Sequence, residues 1–306
     1  MRIVFMGTPD FAVPSLHRLM EYGHEIVGVF TQPDKPKNRG MKLIPTPVKA
    51  LATEHNIPVY QPLSVKDEEV ISQIRAMEPE LLVVVAYGKI LPKVLLDIPS
   101  VAAINVHSSL LPRYRGAAPI NWAMVNGDPE TGVTIMHMAK ELDAGDIIDQ
   151  VVTPIDSEET VGQLHDRLAQ LGGELLVKVV ADIAAGKAKR IPQDPEQVTY
   201  APMLSRQLCP IDWTMSAKAI HNKVRGLVPW PATSTDAFSE EPVKVFAVQE
   251  TGEKTGKAAG SVIAAGKEGI DMACGDGMVL RILELQAPGS KRMAAADYLR
   301  GHPITI

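Results

Sequence analysis

The apolar pattern of the chain changes period repeatedly. IVFMG (3–7), EIVGVFT (25–31), IPVYQ (57–61), LLVVVA (81–86) and VAAINV (101–106) are short runs rich in β-branched residues, which predicts strands. Helical patterns lie between most of them. Three carry start signals: Thr46 followed by Pro47, Ser64 with Asp67 three residues on, and Thr160 with Gln163 three residues on. The last opens a long amphipathic helix, with Leu164, Leu168, Leu171, Leu175, Val179 and Ile183 at steps of three and four, ending near Gly186. Strand, helix, strand alternation predicts an α/β unit over residues 1–189, an open parallel sheet covered on both faces.

The texture then changes. Residues 190–212 contain four prolines and no sustained period, so 190–206 is expected to be a linker. Beyond it come one helical stretch, SAKAIHNKVRGL, and short alternating runs: PVKVFAV, GSVIAA, GIDMAC and GMVLRILELQ. GKEG and GDG turns separate the last three, predicting a small antiparallel β-barrel or sandwich over 207–306.

Composition narrows the function. A net charge of −5 over 306 residues argues against a uniformly basic nucleic-acid binder, so a polyanion must be met by a local patch. Two cysteines, Cys209 and Cys274, have neither metal-ligand spacing nor a disulfide framework. The N-terminus runs straight into a strand, and no apolar stretch is long enough to span a bilayer, so a cytoplasmic soluble protein is expected.

The chemistry concentrates in NVHSSLLPRYRG, residues 105–116. Side chains alternate along a strand, so Asn105 and His107 share one face while Ile104 and Val106 share the other. An amide beside an imidazole at a strand exit can donate to a developing oxyanion and carry a proton near neutrality. Downstream, KELDAGDII (140–148) supplies two carboxylates in a turn, Asp143 and Asp146. Either could hold the imidazole in one tautomer, and the pattern alone does not choose between them. Ser108 and Ser109 sit in no G-x-S-x-G elbow, which disfavours a serine hydrolase. GTPDF after the first strand lacks the dinucleotide-binding glycines.

The ordered set GTPDFAVPSL, QPDKPKNRGMKLIPTPVK, NVHSSLLPRYRGAAPI, NGDPETGVTIMHMAKELDAGDII and YAPMLSRQLCPIDW resembles the methionyl-tRNA formyltransferase family along essentially the whole chain. The resemblance implies a Rossmann-like catalytic domain followed by an OB-like barrel. It implies formyl transfer from 10-formyltetrahydrofolate to the α-amino group of methionine on initiator tRNA, with no metal and no obligate protein partner. Asn105 would donate to the oxyanion and His107 would stabilise it or move protons. The family's LDxG carboxylate favours Asp143, which would orient His107 and position a water. Ser109, Leu110, Leu111 and Pro112 match the segment that contacts the folate, and Ile90 and Leu91 are weaker additions.

The tRNA side rests on residues 33–50, where Lys35, Lys37, Arg39, Lys42 and Lys49 face one acid, Asp34. The resemblance points to Arg39, with Lys37 and Lys42 beside it. Arg113 and Arg115 are left unassigned. Met203 stands where relatives tend to carry lysine, and residues 207–306 hold equal numbers of acidic and basic residues. Lys218, Lys223 and Arg225 are therefore the remaining C-terminal candidates. Rival readings are a sugar-nucleotide amine formyltransferase, a glycinamide ribonucleotide formyltransferase and a non-catalytic tRNA-binding module.

Overall fold

The computed structural model describes residues 1–37 and 42–306. In chain order the first elements are β1 (Arg2–Gly7), α1 (Val13–Glu21), β2 (Glu25–Phe30), β3 (Lys35–Lys37), β4 (Lys42–Ile44), α2 (Pro47–Glu54) and β5 (Val59–Tyr60). Then come α3 (Glu68–Ala76), β6 (Leu81–Val85), α4 (Lys93–Leu96), β7 (Ala102–His107), β8 (Arg115–Gly116), α5 (Pro119–Val125), β9 (Glu130–His137), β10 (Ile147–Pro154) and α6 (Val161–Ala184). The remainder is β11 (Tyr200–Ala201), α7 (Ala217–Leu227), β12 (Thr233–Thr235), β13 (Val243–Lys254), β14 (Val262–Gly266), β15 (Gly269–Ala273), β16 (Met278–Gln286), β17 (Met293–Ala294) and α8 (Ala295–Gly301). By contacts the chain forms two units: Met1–Gly116, Thr131–Thr153 and His165–Tyr200 make the first, and Ala117–Glu130, Pro154–Leu164 and Ala201–Ile306 the second.

The first unit holds a seven-stranded sheet in the order β10-β9-β7-β6-β1-β2-β5. β1, β2, β5, β6 and β7 pair in parallel, as the alternating pattern predicts. β6 is buried along its whole length, which is why it reads as an unbroken LLVVV run. One cluster of buried side chains, Val4, Met6, Phe30, Ile74, Leu82, Val84 and Leu95 among them, unites strands and helices in this unit. The sheet is parallel-dominated, as expected, with one departure toward its edge: β9 pairs with β7 antiparallel, with His107 opposite Thr134 and Ile104 opposite His137. The chain re-enters the sheet from the end at which β7 leaves it, so no crossover intervenes.

Helix starts divide by their caps. Thr46 caps α2 by accepting from the Lys49 N–H. Thr160 and Gln163 bond reciprocally as a capping box before α6. Ser64 does not open a helix, however. Its hydroxyl closes a local turn at Lys66, and α3 begins after Asp67.

The second unit is built on an antiparallel sheet in the order β12-β13-β16-β15-β14, with β17 also against β16. Its core gathers Val245, Ile270, Met272, Leu280, Ile282 and Leu285 with Ile220 and Val224 of α7. Ser216 caps α7 at the Ala219 N–H. Among the described residues no helix is long and apolar enough to cross a membrane.

Candidate active site

Strand alternation along β7 sets the geometry. Ile104 and Val106 are buried on one face. Behind Val106 lies α6, whose Gly172 comes so close that an added Cβ would sit 3.1 Å from Val106 Cγ1. The next residue, Gly173, approaches the backbone of Pro14 equally closely, so a glycine pair seats the helix against strand and helix at once. The other face of β7 carries Asn105, partly exposed, and His107, buried. Among the described residues the Asn105 side-chain amide takes no hydrogen-bond partner, which leaves its N–H groups free for a ligand.

His107 Nε2 lies 3.0 Å from the carbonyl oxygen of Tyr114. A carbonyl only accepts, so the hydrogen-bond network assigns the proton to Nε2 and the lone pair of the neutral ring to Nδ1. That Nδ1 faces Asp143, 3.8 Å from Oδ2. The gap exceeds a hydrogen bond, and two acceptors face each other across it. The arrangement is complete when a proton arrives on Nδ1 or a donor sits between the two groups. The same Oδ2 accepts the Gly116 backbone N–H at 2.8 Å.

Asp143 has φ 49°, in the left-handed region, as do Tyr114 at 62° and Ala86 at 46°. Such backbone persists where its surroundings over-determine it, and two of the three flank the His107 imidazole. Gly145 of the LDAGD turn is fixed by closeness, since an added Cβ would fall 1.7 Å from the His137 carbonyl oxygen. The rival carboxylate, Asp146, points elsewhere and pairs with Arg190 at 3.4 Å. Geometry therefore brings Asn105, His107 and Asp143 into one site and leaves Asp146 out of it.

The turn Ser109–Pro112 divides in two. Leu110 and Pro112 are partly exposed, whereas Ser109 and Leu111 are buried and their polar groups are taken within the protein. Ser109 Oγ donates to the Arg113 carbonyl, and Thr134 Oγ1 donates to the Ser109 carbonyl while accepting from the Leu111 N–H. Gln150 Nε2 donates to both the Leu111 carbonyl and Thr134 Oγ1. Thr134 and Gln150 thus hold the turn in place, a role the sequence conceals because Thr134 reads simply as a β-former in TGVTIMHM. Of the two weaker folate candidates, Ile90 is exposed and Leu91 buried.

The carboxyl ends of three parallel strands are laced together nearby. Thr8 Oγ1 and Gln32 Nε2 both donate to the Tyr87 carbonyl. The basic segment beyond β2 forms the β3–β4 hairpin, with Lys37 opposite Lys42. Arg39 lies outside the described residues. Lys49 is not a free cation: its Nζ bonds Asp34 at 2.6 Å and Gln61 Oε1 at 2.7 Å. Hydrogen bonds from Lys49 and then Gln61 hold the Asp34 carboxyl below its usual range.

The C-terminal cationic candidates are similarly occupied. Lys218 pairs with Glu250 at 3.3 Å, and Lys223 donates to the Pro210 carbonyl, its pKa lowered by burial. Arg225 is buried and donates to the Asp156 and Glu159 carbonyls. As for the unassigned arginines, Arg113 lies over the Tyr114 ring and Arg115 reaches Gln193. Among the described residues no group of three or more His, Cys, Asp or Glu side chains is placed to hold a metal ion.

Comparison with known proteins places the chain in a family. A family profile described as "Formyl transferase" matches residues 1–180, and one described as "Formyl transferase, C-terminal domain" matches residues 203–303. A Trichlorobacter lovleyi protein named methionyl-tRNA formyltransferase is 50% identical, covering 100% of this chain and 95% of its own. One of the same name from Clostridioides difficile is 47% identical, covering 99% and 98%. Among solved structures, WlaRD, a sugar 3N-formyl transferase with dTDP and 5-N-formyl-THF, superposes with TM-score 0.70 at 19% identity, covering 95% of this chain and 99% of that one. HypX from Aquifex aeolicus, in complex with tetrahydrofolic acid, gives 0.67 at 18%. It covers 98% of this chain, which spans about half of HypX (47%). At these identities the two structures speak for the fold.

Proposed function

The chain belongs to the formyl transferase family, and we propose that it moves the formyl group of 10-formyltetrahydrofolate onto the α-amino group of methionine carried by initiator tRNA. The donor supplies a formyl group on a nitrogen, N10, that leaves once protonated. The residues fit that chemistry: Asn105 offers an unspent amide, His107 a free Nδ1, and Asp143 a carboxylate 3.8 Å from that nitrogen. This juxtaposition is the observation that carries the reading.

As the amine attacks the formyl carbon, Asn105 donates to the carbonyl oxygen that becomes an oxyanion. His107 takes the amine's proton on Nδ1, keeping Nε2–H on the Tyr114 carbonyl, and becomes an imidazolium. Asp143 stabilises that charge and fixes the ring's orientation. His107 then gives the proton to N10 as the carbon–nitrogen bond breaks, and the neutral imidazole returns. Leu110 and Pro112 offer apolar surface to the flat pterin, over a floor formed by Ser109 and Leu111.

Lys37, Arg39 and Lys42, in the basic segment 33–50, meet the tRNA phosphates, the local patch that an acidic chain needs. Catalysis belongs to residues 1–189, which 190–206 join to 207–306. The enzyme works in the cytoplasm, where charged tRNA is made. Formylation assays test the reading directly. Charged initiator tRNA is expected to accept the formyl group while sugar-nucleotide amines do not. Product from the sugar nucleotides alone would replace the tRNA reading, and no product from either would end the enzyme reading.

A further inference from the structure

Two residues that the mechanism leaves unused meet behind the Asp143 turn. Gln193 Nε2 lies 2.8 Å from the Asp143 carbonyl oxygen and 2.8 Å from that of Gly145. Its Oε1 accepts from Arg115 twice, from Nε at 3.1 Å and from a terminal guanidinium nitrogen at 2.7 Å. Only one orientation of the amide satisfies all four contacts, because both carbonyls need a donor and the guanidinium needs an acceptor. Arg115 is held in turn by its backbone N–H, which donates to the Thr199 carbonyl. Its neighbour Gly116 donates to the Asp143 carboxylate at 2.8 Å. Asp143 is thereby gripped at both ends, its carbonyl by Gln193 and its carboxylate by Gly116, across a backbone at φ 49°.

We infer that Gln193, oriented by Arg115, is a positioning residue that aims the Asp143 carboxylate at His107. The inference rests on the catalytic reading of Asp143. A left-handed backbone at a non-glycine residue relaxes unless it is held, and relaxation here swings the carboxylate away from Nδ1. Glutamine suits the position because it has the reach and carries both a donor and an acceptor. Glutamate has the same length and pairs with Arg115 but presents oxygen to both carbonyls, so it preserves the strut and removes the grip.

The experiment is single-turnover formyl transfer by the full chain carrying Gln193→Glu, Gln193→Ala, Asp143→Ala and the Asp143→Ala/Gln193→Glu pair, with thermal unfolding as the control for folding. Gln193→Glu is expected to lower the transfer rate about 10- to 100-fold while KM for tRNA and folate stays within about twofold, the signature of a misaimed group. Gln193→Ala behaves likewise. In the Asp143→Ala background, Gln193→Glu costs less than about a further twofold, because its effect runs through the missing carboxylate. Full multiplication of the two losses, or wild-type rates for both Gln193 variants, overturns the inference while Asp143 keeps its role. Near-wild-type turnover by Asp143→Ala overturns the catalytic reading itself, and the inference with it.

Discussion

Two loops of the first unit are each closed by a glutamine, and they treat their aspartates in opposite ways. At Asp34, Gln61 donates to the carboxylate itself at 2.7 Å and to the Gln32 carbonyl, and its oxygen accepts from Lys49. At Asp143, Gln193 donates to the Asp143 and Gly145 backbone carbonyls and, at 3.9 Å, toward Met136 Sδ, never to the carboxylate, and its oxygen accepts from Arg115. The first clamp consumes the carboxylate, neutralised by Lys49 at 2.6 Å and held below its ordinary pKa by the hydrogen bonds from Lys49 and Gln61. The second grips the chain and leaves the carboxylate facing His107. A loop can therefore be anchored through its charge or around it, and only the second way leaves a charge available for catalysis.

The comparison breaks most visibly at the aspartates. Asp143→Asn is expected to lower kcat on the order of 10²–10⁴-fold, the range for a lost acid–base partner, whereas Asp34→Asn leaves kcat within about twofold. Asp34→Asn instead raises KM for charged tRNA about fivefold, equivalent to ~1 kcal/mol, by loosening the base of the hairpin. Steady-state kinetics with each substrate varied separately distinguishes the two.

Thr134→Val tests the support beneath the Ser109–Pro112 turn. It strands the buried Leu111 N–H and the Ser109 carbonyl, so urea unfolding should show a loss of about 2 kcal/mol, and KM for the folate should rise more than KM for tRNA. The basic segment 33–50 sharpens the contrast among its cations. Arg39→Ala should weaken tRNA binding and lower the slope of log affinity against log salt by about one, while Lys49→Met, already paired with Asp34, leaves that slope unchanged.

The smallest effect lies in the second unit, where buried His221 is held 3.7 Å from Glu158 and 3.5 Å from Glu250, with Arg225 and Lys218 nearby. Burial lowers its folded pKa below the ordinary value of 6.5, against the pull of the two glutamates. The unfolded chain then binds the proton more readily, so this contribution to stability is present above pH 6.5 and declines as pH falls through the folded pKa. Thermal unfolding from pH 8 to pH 5 should show an acid-side loss of no more than about 1.4 kcal/mol per pH unit, and His221→Gln should flatten it.

Much of the site is legible in the sequence because strand period is a local property. Asn105 and His107 fall on one face by alternation alone, and the caps at Thr46 and Thr160 are read from neighbouring residues. What escapes is non-local. Gln193 stands in a proline-rich stretch read as a linker, and its two acceptors lie 48 and 50 residues away. Thr134 and Gln150 grip the Ser109–Pro112 turn from strands whose pattern announces only packing. The same blindness makes cations look available: Lys49, Lys218, Lys223 and Arg225 each have a partner that only the fold reveals. Ser64 fails for the opposite reason, since a serine that closes a turn looks from its neighbours like one that starts a helix.

The central claim is that Asn105, His107 and Asp143 together carry formyl transfer. Its most direct test is the single-turnover rate at which the Asn105→Ala protein moves formyl from 10-formyltetrahydrofolate to charged initiator tRNA, with tRNA affinity measured alongside. The account predicts a fall on the order of 10²–10³-fold at unchanged tRNA affinity, the loss of one oxyanion donor. A rate within about twofold of wild type would contradict it.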